Sequence, residues 1–450
     1  MGAMVMQFLG WVEKVLFTLA LFLLTDKLIF FVNFLGYQPY PKELVRLLTG
    51  MPRKDIGPMV ASTADLLFLL LGDVAFWIAL VMILTHRGLL AKTLKTAWTT
   101  GLAVLLLLAS VSWFWSENPN ATLNGLWLLM KITVIGLYLS QRFSIEENLE
   151  LLVWVVALGG MLSLLAVWLT PGQSIHPGGE WRGIYSWKNL LGRLMAFGNA
   201  ILIVYWFAHG ALAKRIFAVG LFVLSGVLLV FSDSATSLLT LVGMYGVLAL
   251  YGAWTKWGAH LNARTRWSLV ALGVALMVLA WWNVGPILDL FGKSSTLSGR
   301  TALWEILWGW FQQRPLLGFG YEAFWVQFPE GLWPPGDGWV EAPARHAHNG
   351  YIEIILGLGL IGLALFLLCL MLAWKRAFMF LNKRKQVVFL WPLLILVYLT
   401  FANLAYSLTI GFPEFHWTLF VIAVGTISSA MDETGKETAY FLAPTPTESR

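Results

Sequence analysis

Apolar runs of about twenty residues recur along this chain, and they restrict its possible folds more than any other feature. A helix of that length spans the hydrocarbon layer of a bilayer, since each residue advances about 1.5 Å. Backbone N–H and C=O groups in lipid must be paired within the protein, which leaves helices or closed barrels as spanning structures. Barrel strands would alternate polar and apolar residues, and these runs do not. Spans are expected near 15–35, 64–85, 98–114, 123–140, 149–169, 189–208, 215–231, 235–252, 267–285, 349–373, 387–408 and 415–431. Asp26 and Lys27 interrupt the first, so a bend or tilt is expected there. Composition fits about twelve membrane helices. The chain is 58% hydrophobic and 12% charged, where a soluble domain carries about 25% charged residues. The expected fold class is all-α, a polytopic integral membrane protein.

Basic residues in short loops orient such a chain, because they stay on the cytoplasmic side. Arg87, Lys92 and Lys95 fall on one side, with Lys214, Arg215, Lys256, Arg264 and Arg266 and the cluster Lys375, Arg376, Lys383, Arg384 and Lys385. Both termini share that side, while Lys42, Arg46, Arg53 and Lys54 in the segment 37–63 run against the rule. The net charge of +6 lies mostly in these loops and so reports orientation, not nucleic-acid binding. Trp113, Trp115, Trp127, Trp181, Trp187 and Trp391 stand near segment ends, where an interfacial belt places them. The sole cysteine, Cys369, is in an apolar run and supports neither a disulfide framework nor a cysteine metal site. The expected division is membrane helices over 1–285, a large outward loop over 286–348, three more helices over 349–431, and a disordered cytoplasmic tail over 432–450.

Three polar segments then face outward: 170–188, 232–235 and the large loop. A loop longer than about 15 residues is usually functional or disordered. Trp304, Trp308, Trp310, Trp325, Trp333 and Trp339 argue against disorder here. Thr301 to Gln313 has apolar residues at helical spacing, which predicts an amphipathic helix lying on the membrane. Most of these tryptophans read as interfacial anchors, although aromatic faces also suit carbohydrate or lipid headgroups.

Where the loop meets the next apolar run stands Arg345-His346-Ala347-His348-Asn349-Gly350-Tyr351-Ile352-Glu353. Ionisable groups at a bilayer boundary are costly unless they serve a purpose, and imidazole changes charge near physiological pH. This junction is expected to be the reaction centre of a membrane enzyme. Glu353, about one turn into the helix, either positions His348 or packs as a protonated group. Two histidines are too few for a zinc site without further ligands. Arg182 and Lys188 precede or open the helix near 189, where a cation opposes the helix dipole and wants an anionic partner. Arg300 opens the loop helix, whose free N–H groups also attract anions. Arg193 lies about one turn into its span. Arginine suits a two-pronged grip on phosphate, and snorkelling to lipid phosphates is the plain alternative for each of these residues. Asp73 with Lys131 reads as a structural pair or cavity lining, and His176 and His416 as interfacial or hydrogen-bonded. Gly357-Leu358-Gly359-Leu360-Ile361-Gly362 reads as a small-residue surface for close helix packing.

Taken together, several motifs resemble the O-antigen ligase/polymerase superfamily. They are Trp113-Phe114-Trp115-Ser116-Glu117-Asn118-Pro119, Gly183-Ile184-Tyr185-Ser186-Trp187-Lys188-Asn189-Leu190-Leu191-Gly192 and Ser232-Asp233-Ser234-Ala235-Thr236-Ser237, in that order. Ser298-Gly299-Arg300-Thr301-Ala302-Leu303-Trp304, Arg314-Pro315-Leu316-Leu317-Gly318-Phe319-Gly320 and His346-Ala347-His348-Asn349-Gly350-Tyr351 continue the match. It covers about residues 110–365, and the Lys188-Asn189-x-x-Gly192 form resembles the exopolysaccharide-polymerase branch. The resemblance implies a GT-C-like glycosyltransferase of the bacterial inner membrane with its site facing the periplasm. Its donor would be an undecaprenyl-diphosphate-linked oligosaccharide and its acceptor a glycan or lipid A-core, with no cofactor, nucleotide sugar or obligatory metal. Carried over by motif, His348 would be the general base, a role that suits a neutral imidazole and is typically worth about 10²–10⁴-fold. Arg182 and Arg300 would hold the diphosphate, with Lys188, His346, Asn349 and Tyr351 completing the binding site. His346 would orient the acceptor.

Polymerase and ligase share this donor chemistry and differ in the acceptor. A small-solute or bicarbonate transporter is the rival from another class. It would show internal repeats and broken helices with charges near the midplane, whereas the polar residues here cluster at one face without a clear repeat. Arg300→Lys is expected to abolish polymer formation in a cell-based assay, because an ammonium cannot reproduce the guanidinium fork. Wild-type polymer in that variant would remove Arg300 from the diphosphate site.

Overall fold

The computed structural model describes residues 2–25, 63–257, 300–328, 346–383, 386–408, 410 and 415–442. Among the described residues the regular elements are helical, apart from one isolated bridge between Ile175 and Trp181. In chain order the α-helices are α1 (Gly2–Leu23), α2 (Thr63–Thr85), α3 (Arg87–Thr99), α4 (Leu102–Val111), α5 (Pro119–Arg142), α6 (Ile145–Leu169), α7 (Pro171–Ser174) and α8 (Lys188–Ala208). They continue with α9 (Leu212–Phe231), α10 (Ala235–Trp257), α11 (Arg300–Gln313), α12 (Phe324–Gln327), α13 (Gly350–Lys383), α14 (Leu390–Ala402) and α15 (Phe415–Leu442). Helices α5, α6, α8, α9, α10 and α13 are long and apolar enough to cross a membrane, and the bent pair α2 and α3 passes the same test together. Shorter apolar helices occupy 102–115, 387–402 and 415–431. The span expected at 267–285 lies outside the described residues.

Local chemistry sets the helix ends. Ser144 and Glu147 form a reciprocal capping box that starts α6, and Asn118 with Pro119 at the first helical position starts α5. After Thr85 a basic loop is expected, but the chain forms α3, turned 105° from α2. His86, in an extended conformation, breaks the helix, and Leu, Ala, Lys and Arg beyond it are strong helix formers. Thr96 of α3 accepts from Gln141 of α5 at 3.2 Å. Arg376 of α13 reaches the Thr99 carbonyl at 2.6 Å and Ser428 of α15 at 2.8 Å. These contacts bring Arg376 beside α3, the helix that carries Arg87, Lys92 and Lys95. The disordered tail expected over 432–450 is corrected as far as Leu442, where α15 ends, and 443–450 lie outside the described residues. Glu433, Lys436 and Glu437 favour propagation of an established helix.

In lipid no hydrophobic force drives helices together, so close packing and hydrogen bonds across helices do so. Gly136 of α5 lies against Val421 of α15, and Gly425 of α15 against Ser140 of α5. Trp417 donates to Thr133 at 2.8 Å across the same pair. Asn199 of α8 donates to the Phe222 carbonyl at 2.9 Å and to Ser225 at 2.8 Å on α9, and accepts from Tyr245 of α10. Asp73 and Lys131 pair at 2.6 Å, with Trp127 beneath the ammonium at 5.7 Å. That geometry fits a structural pair, which offsets the burial of both charges.

The small-residue surface expected at Gly357–Gly362 is instead a break in α13. Gly359 adopts φ 66°, ψ −166°, so the helical bonds of Leu360 and Ile361 to residues four earlier are lost. The segment after α11 replaces them. Phe319 donates to the Leu356 carbonyl at 2.8 Å and Gly320 to Gly357 at 3.0 Å. Leu360 donates to Pro315 at 2.8 Å and Ile361 to Leu316 at 3.3 Å. Non-helical backbone at such a depth persists only where protein pairs its polar groups. A Cβ at Gly359 would collide with the Leu316 carbonyl, and its positive φ is one that L-residues enter at a cost of about 1–3 kcal/mol. Gly359→Val is therefore expected to lower the melting temperature of the detergent-purified protein. An unchanged melting curve would contradict the pairing.

Candidate functional site

The polar segments between helices converge at the end of the bundle where α13 begins, opposite the contact of Arg376 with Thr99. Trp181 N–H donates to the Phe231 carbonyl at 2.8 Å, tying the 170–188 segment to the end of α9. Lys188 stands 3.7 Å from Asp233, and Ser234 and Thr236 contact the Tyr406 hydroxyl. The Tyr406 carbonyl in turn accepts from Gly350 N–H at 2.9 Å, at the start of α13. On the other flank Glu117 N–H donates to Phe319 at 3.0 Å, Thr122 donates to the Tyr321 carbonyl at 2.7 Å, and Arg314 pairs with Glu117. The motifs Trp113–Pro119 and Arg314–Gly320 thus hold each other and the break in α13. Among the described residues the non-glycine residues with positive φ are Asp233, Glu322 and His348, and all lie at this end. Backbone strain of this kind gathers where function fixes a conformation.

The His346–His348 turn is built from several elements. His346 and His348 have ring centroids 3.9 Å apart at 62°, and His348 N–H faces His346 Nδ1 at 3.3 Å. Ala347 between them is fully buried; its carbonyl accepts from Trp304 Nε1 of α11 at 2.8 Å and its N–H donates to Glu353. Glu353, 5% exposed, also accepts from Trp325 of α12 at 2.6 Å and from Ser407 at 3.1 Å. Asn349 caps α13, accepting from Tyr351 N–H at 3.0 Å and Ile352 N–H at 3.2 Å while donating to Leu404 at 3.2 Å. Gly350 N–H is shared by the Asn403 and Tyr406 carbonyls, and a Cβ there would strike the Asn403 amide.

The expected binding residues divide into two kinds. Asn349 and Tyr351, expected to touch substrate, have their polar atoms engaged within the protein. The Tyr351 hydroxyl donates to the Thr400 carbonyl at 3.1 Å. Lys188 has the anionic partners that its place at a helix start calls for, Glu180 at 2.8 Å and Asp233. Arg182 donates through Nε to Gln173 at 2.6 Å, at the same end as His348. Arg300 opens α11, whose Leu303 and Leu307 pack with Ala347 and Leu356, while its side chain lies outside the described residues. Arg193 lies over the Tyr406 ring at 4.5 Å. His416 is buried and bonded to the Tyr398 hydroxyl at 3.0 Å. Tyr406 and Ser407 were not singled out by sequence reasoning, and Trp304 and Trp325 were read there mostly as interfacial anchors, not as partners of the histidine turn. Trp304 carried a further signal, standing one helical turn after Arg300.

A polytopic helical membrane protein with ionisable residues gathered at one end is the class this architecture defines. Residues 220–367 match the O-antigen ligase family model. The chain is also 29% identical over 310 residues to the exopolysaccharide production protein ExoQ of Rhizobium meliloti (strain 1021), covering 66% of this chain and 68% of that protein. Both findings make this chain similar to the O-antigen ligase/polymerase superfamily, with ExoQ among its relatives.

Charge at the site is internally coupled. Burial first, and then the Arg182 guanidinium, hold the His176 imidazole below its ordinary range; Lys188 acts in the same sense and Glu180 opposes. The Lys188 ammonium bonded to Glu180 holds that carboxyl below the usual range. Because folding depresses the His176 value, the stability it contributes is present above the unfolded value of about 6.5 and is lost as pH falls through the folded value. Arg182→Gln is expected to raise the His176 pKa toward about 6.5, read by NMR titration of histidine-labelled protein. An unmoved titration would separate Arg182 from His176.

Proposed function

We propose that this protein is a metal-independent membrane glycosyltransferase that polymerises undecaprenyl-diphosphate-linked repeat units into exopolysaccharide or O-antigen. About twelve helices cross the bacterial inner membrane in a GT-C-like arrangement, with 286–348 as the periplasmic loop and the basic end in the cytoplasm. The observation that carries the reading is the His346-Ala347-His348 turn, fixed at the polar end with His348 at φ 52° and sharing that end with Arg182. In this reading His348 takes the proton from an acceptor sugar hydroxyl. The acceptor oxygen bonds to the anomeric carbon of the donor as the bond from that carbon to the diphosphate oxygen breaks. Undecaprenyl diphosphate leaves with the electron pair, and Arg182 and Arg300 stabilise the charge that develops on it. His346 orients the acceptor, Lys188 adds positive potential, and Asn349 and Tyr351 act by shaping the turn.

The family model that matches residues 220–367 carries the description O-antigen ligase. Transfer of finished glycan to lipid A-core, or to a protein, is therefore the second reading, with the same donor and base. Transport of a small solute fits less well. A broken helix is present at Gly359, but loop backbone takes up its unpaired groups. His348→Ala is expected to abolish polymer formation while expression and membrane insertion persist, and wild-type polymer in that variant would remove His348 from the mechanism.

A further inference from the structure

The peptide unit of Ala347 is held from both sides. Its N–H donates to Glu353 of α13, and its carbonyl accepts from the Trp304 indole of α11 at 2.8 Å. Glu353 is itself fixed by Trp325 at 2.6 Å on one carboxylate oxygen and by Ser407 at 3.1 Å on the other. Downstream, Asn349 caps α13 and Gly350 N–H is anchored to the Asn403 and Tyr406 carbonyls. His348 therefore stands between two immobilised points, in a left-handed conformation that non-glycine residues keep only when their surroundings impose it.

We propose that Glu353 is a positioning residue that, opposite Trp304, clamps the Ala347 peptide and so fixes the reach of the His348 imidazole toward the acceptor hydroxyl. The proposal rests on His348 as the base. Glu353 acts through the peptide: one carboxylate oxygen takes the Trp325 N–H, and the other takes the Ala347 N–H and the Ser407 hydroxyl. The chemistry requires an acceptor at both oxygens, because N–H groups address each of them. Glutamine would set its own NH₂ against either the Ala347 N–H or the Trp325 N–H. Aspartate is one methylene too short to span all three partners. Trp304→Phe keeps the ring and removes the other half of the clamp.

The test uses full-length wild-type protein, E353Q, W304F, the double variant and H348A, each reconstituted with lipid-linked repeat units. Misplacing a catalytic group by about 1 Å costs on the order of 10²-fold. We therefore expect E353Q and W304F each to lower kcat by about 10–100-fold, with KM for the lipid-linked donor moving less than about threefold. Both substitutions release the same peptide, so the double variant should be no slower than the slower single variant. If E353Q fails to fold, W304F alone decides. Wild-type kcat in W304F, a loss confined to KM, or losses that multiply in the double variant would overturn the clamp. H348A separates the two claims: an active H348A removes the base itself, whereas an inactive H348A beside fully active clamp variants removes only the role of Glu353.

Discussion

A carboxylate at the head of a membrane helix has little water to solvate it, so it persists only where protein donors surround it. Glu353 finds those donors on three separate pieces of chain: the Ala347 peptide, Trp325 of α12 and Ser407 beyond α14. One buried side chain thereby draws α12, the histidine turn and the turn after α14 to a single point. The arrangement of the polar end depends on that convergence. Trp304 adds a fourth piece by holding the far side of the same peptide.

Backbone economy in lipid supplies the second constraint. The break at Gly359 unpairs four main-chain groups of α13, and Pro315, Leu316, Phe319 and Gly320 satisfy each of them. The strip 315–321 is held on its other flank by Ser112, Glu117 and Thr122, so it is a fixed layer between α5 and α13. The loop helix α11 leads directly into this layer and carries Trp304. Position is thus transmitted from the helical scaffold to the histidines through hydrogen-bonded main chain, which bends less readily than side-chain packing alone.

Apolar run length made the helices legible, since a 3.6-residue repeat in lipid has one solution; 123–140 and 189–208, for example, lie within α5 and α8. The histidine turn was legible because ionisable groups at a membrane boundary are conspicuous. The break at Gly359 was not. A glycine that packs against a neighbouring helix and a glycine that turns its own backbone look alike in sequence, and only the partner strip distinguishes them. Trp325 and Ser407 were hidden for a related reason. A tryptophan in an outward loop reads as an interfacial anchor until the carboxylate it serves, 28 residues along the chain, is brought beside it. The cap made by Asn349 was not legible either, because helix capping by an asparagine and ligand binding by one use the same atoms.

A polymerase of the proposed kind joins lipid-linked glycans by itself. The most direct measurement supplies the purified protein in a bilayer with undecaprenyl-diphosphate-linked repeat units, with and without lipid A-core, and separates the products by size. A ladder of lengthening glycan without the core is the predicted result. An absence of product in both mixtures, or product only when the core is present, would contradict the polymerase.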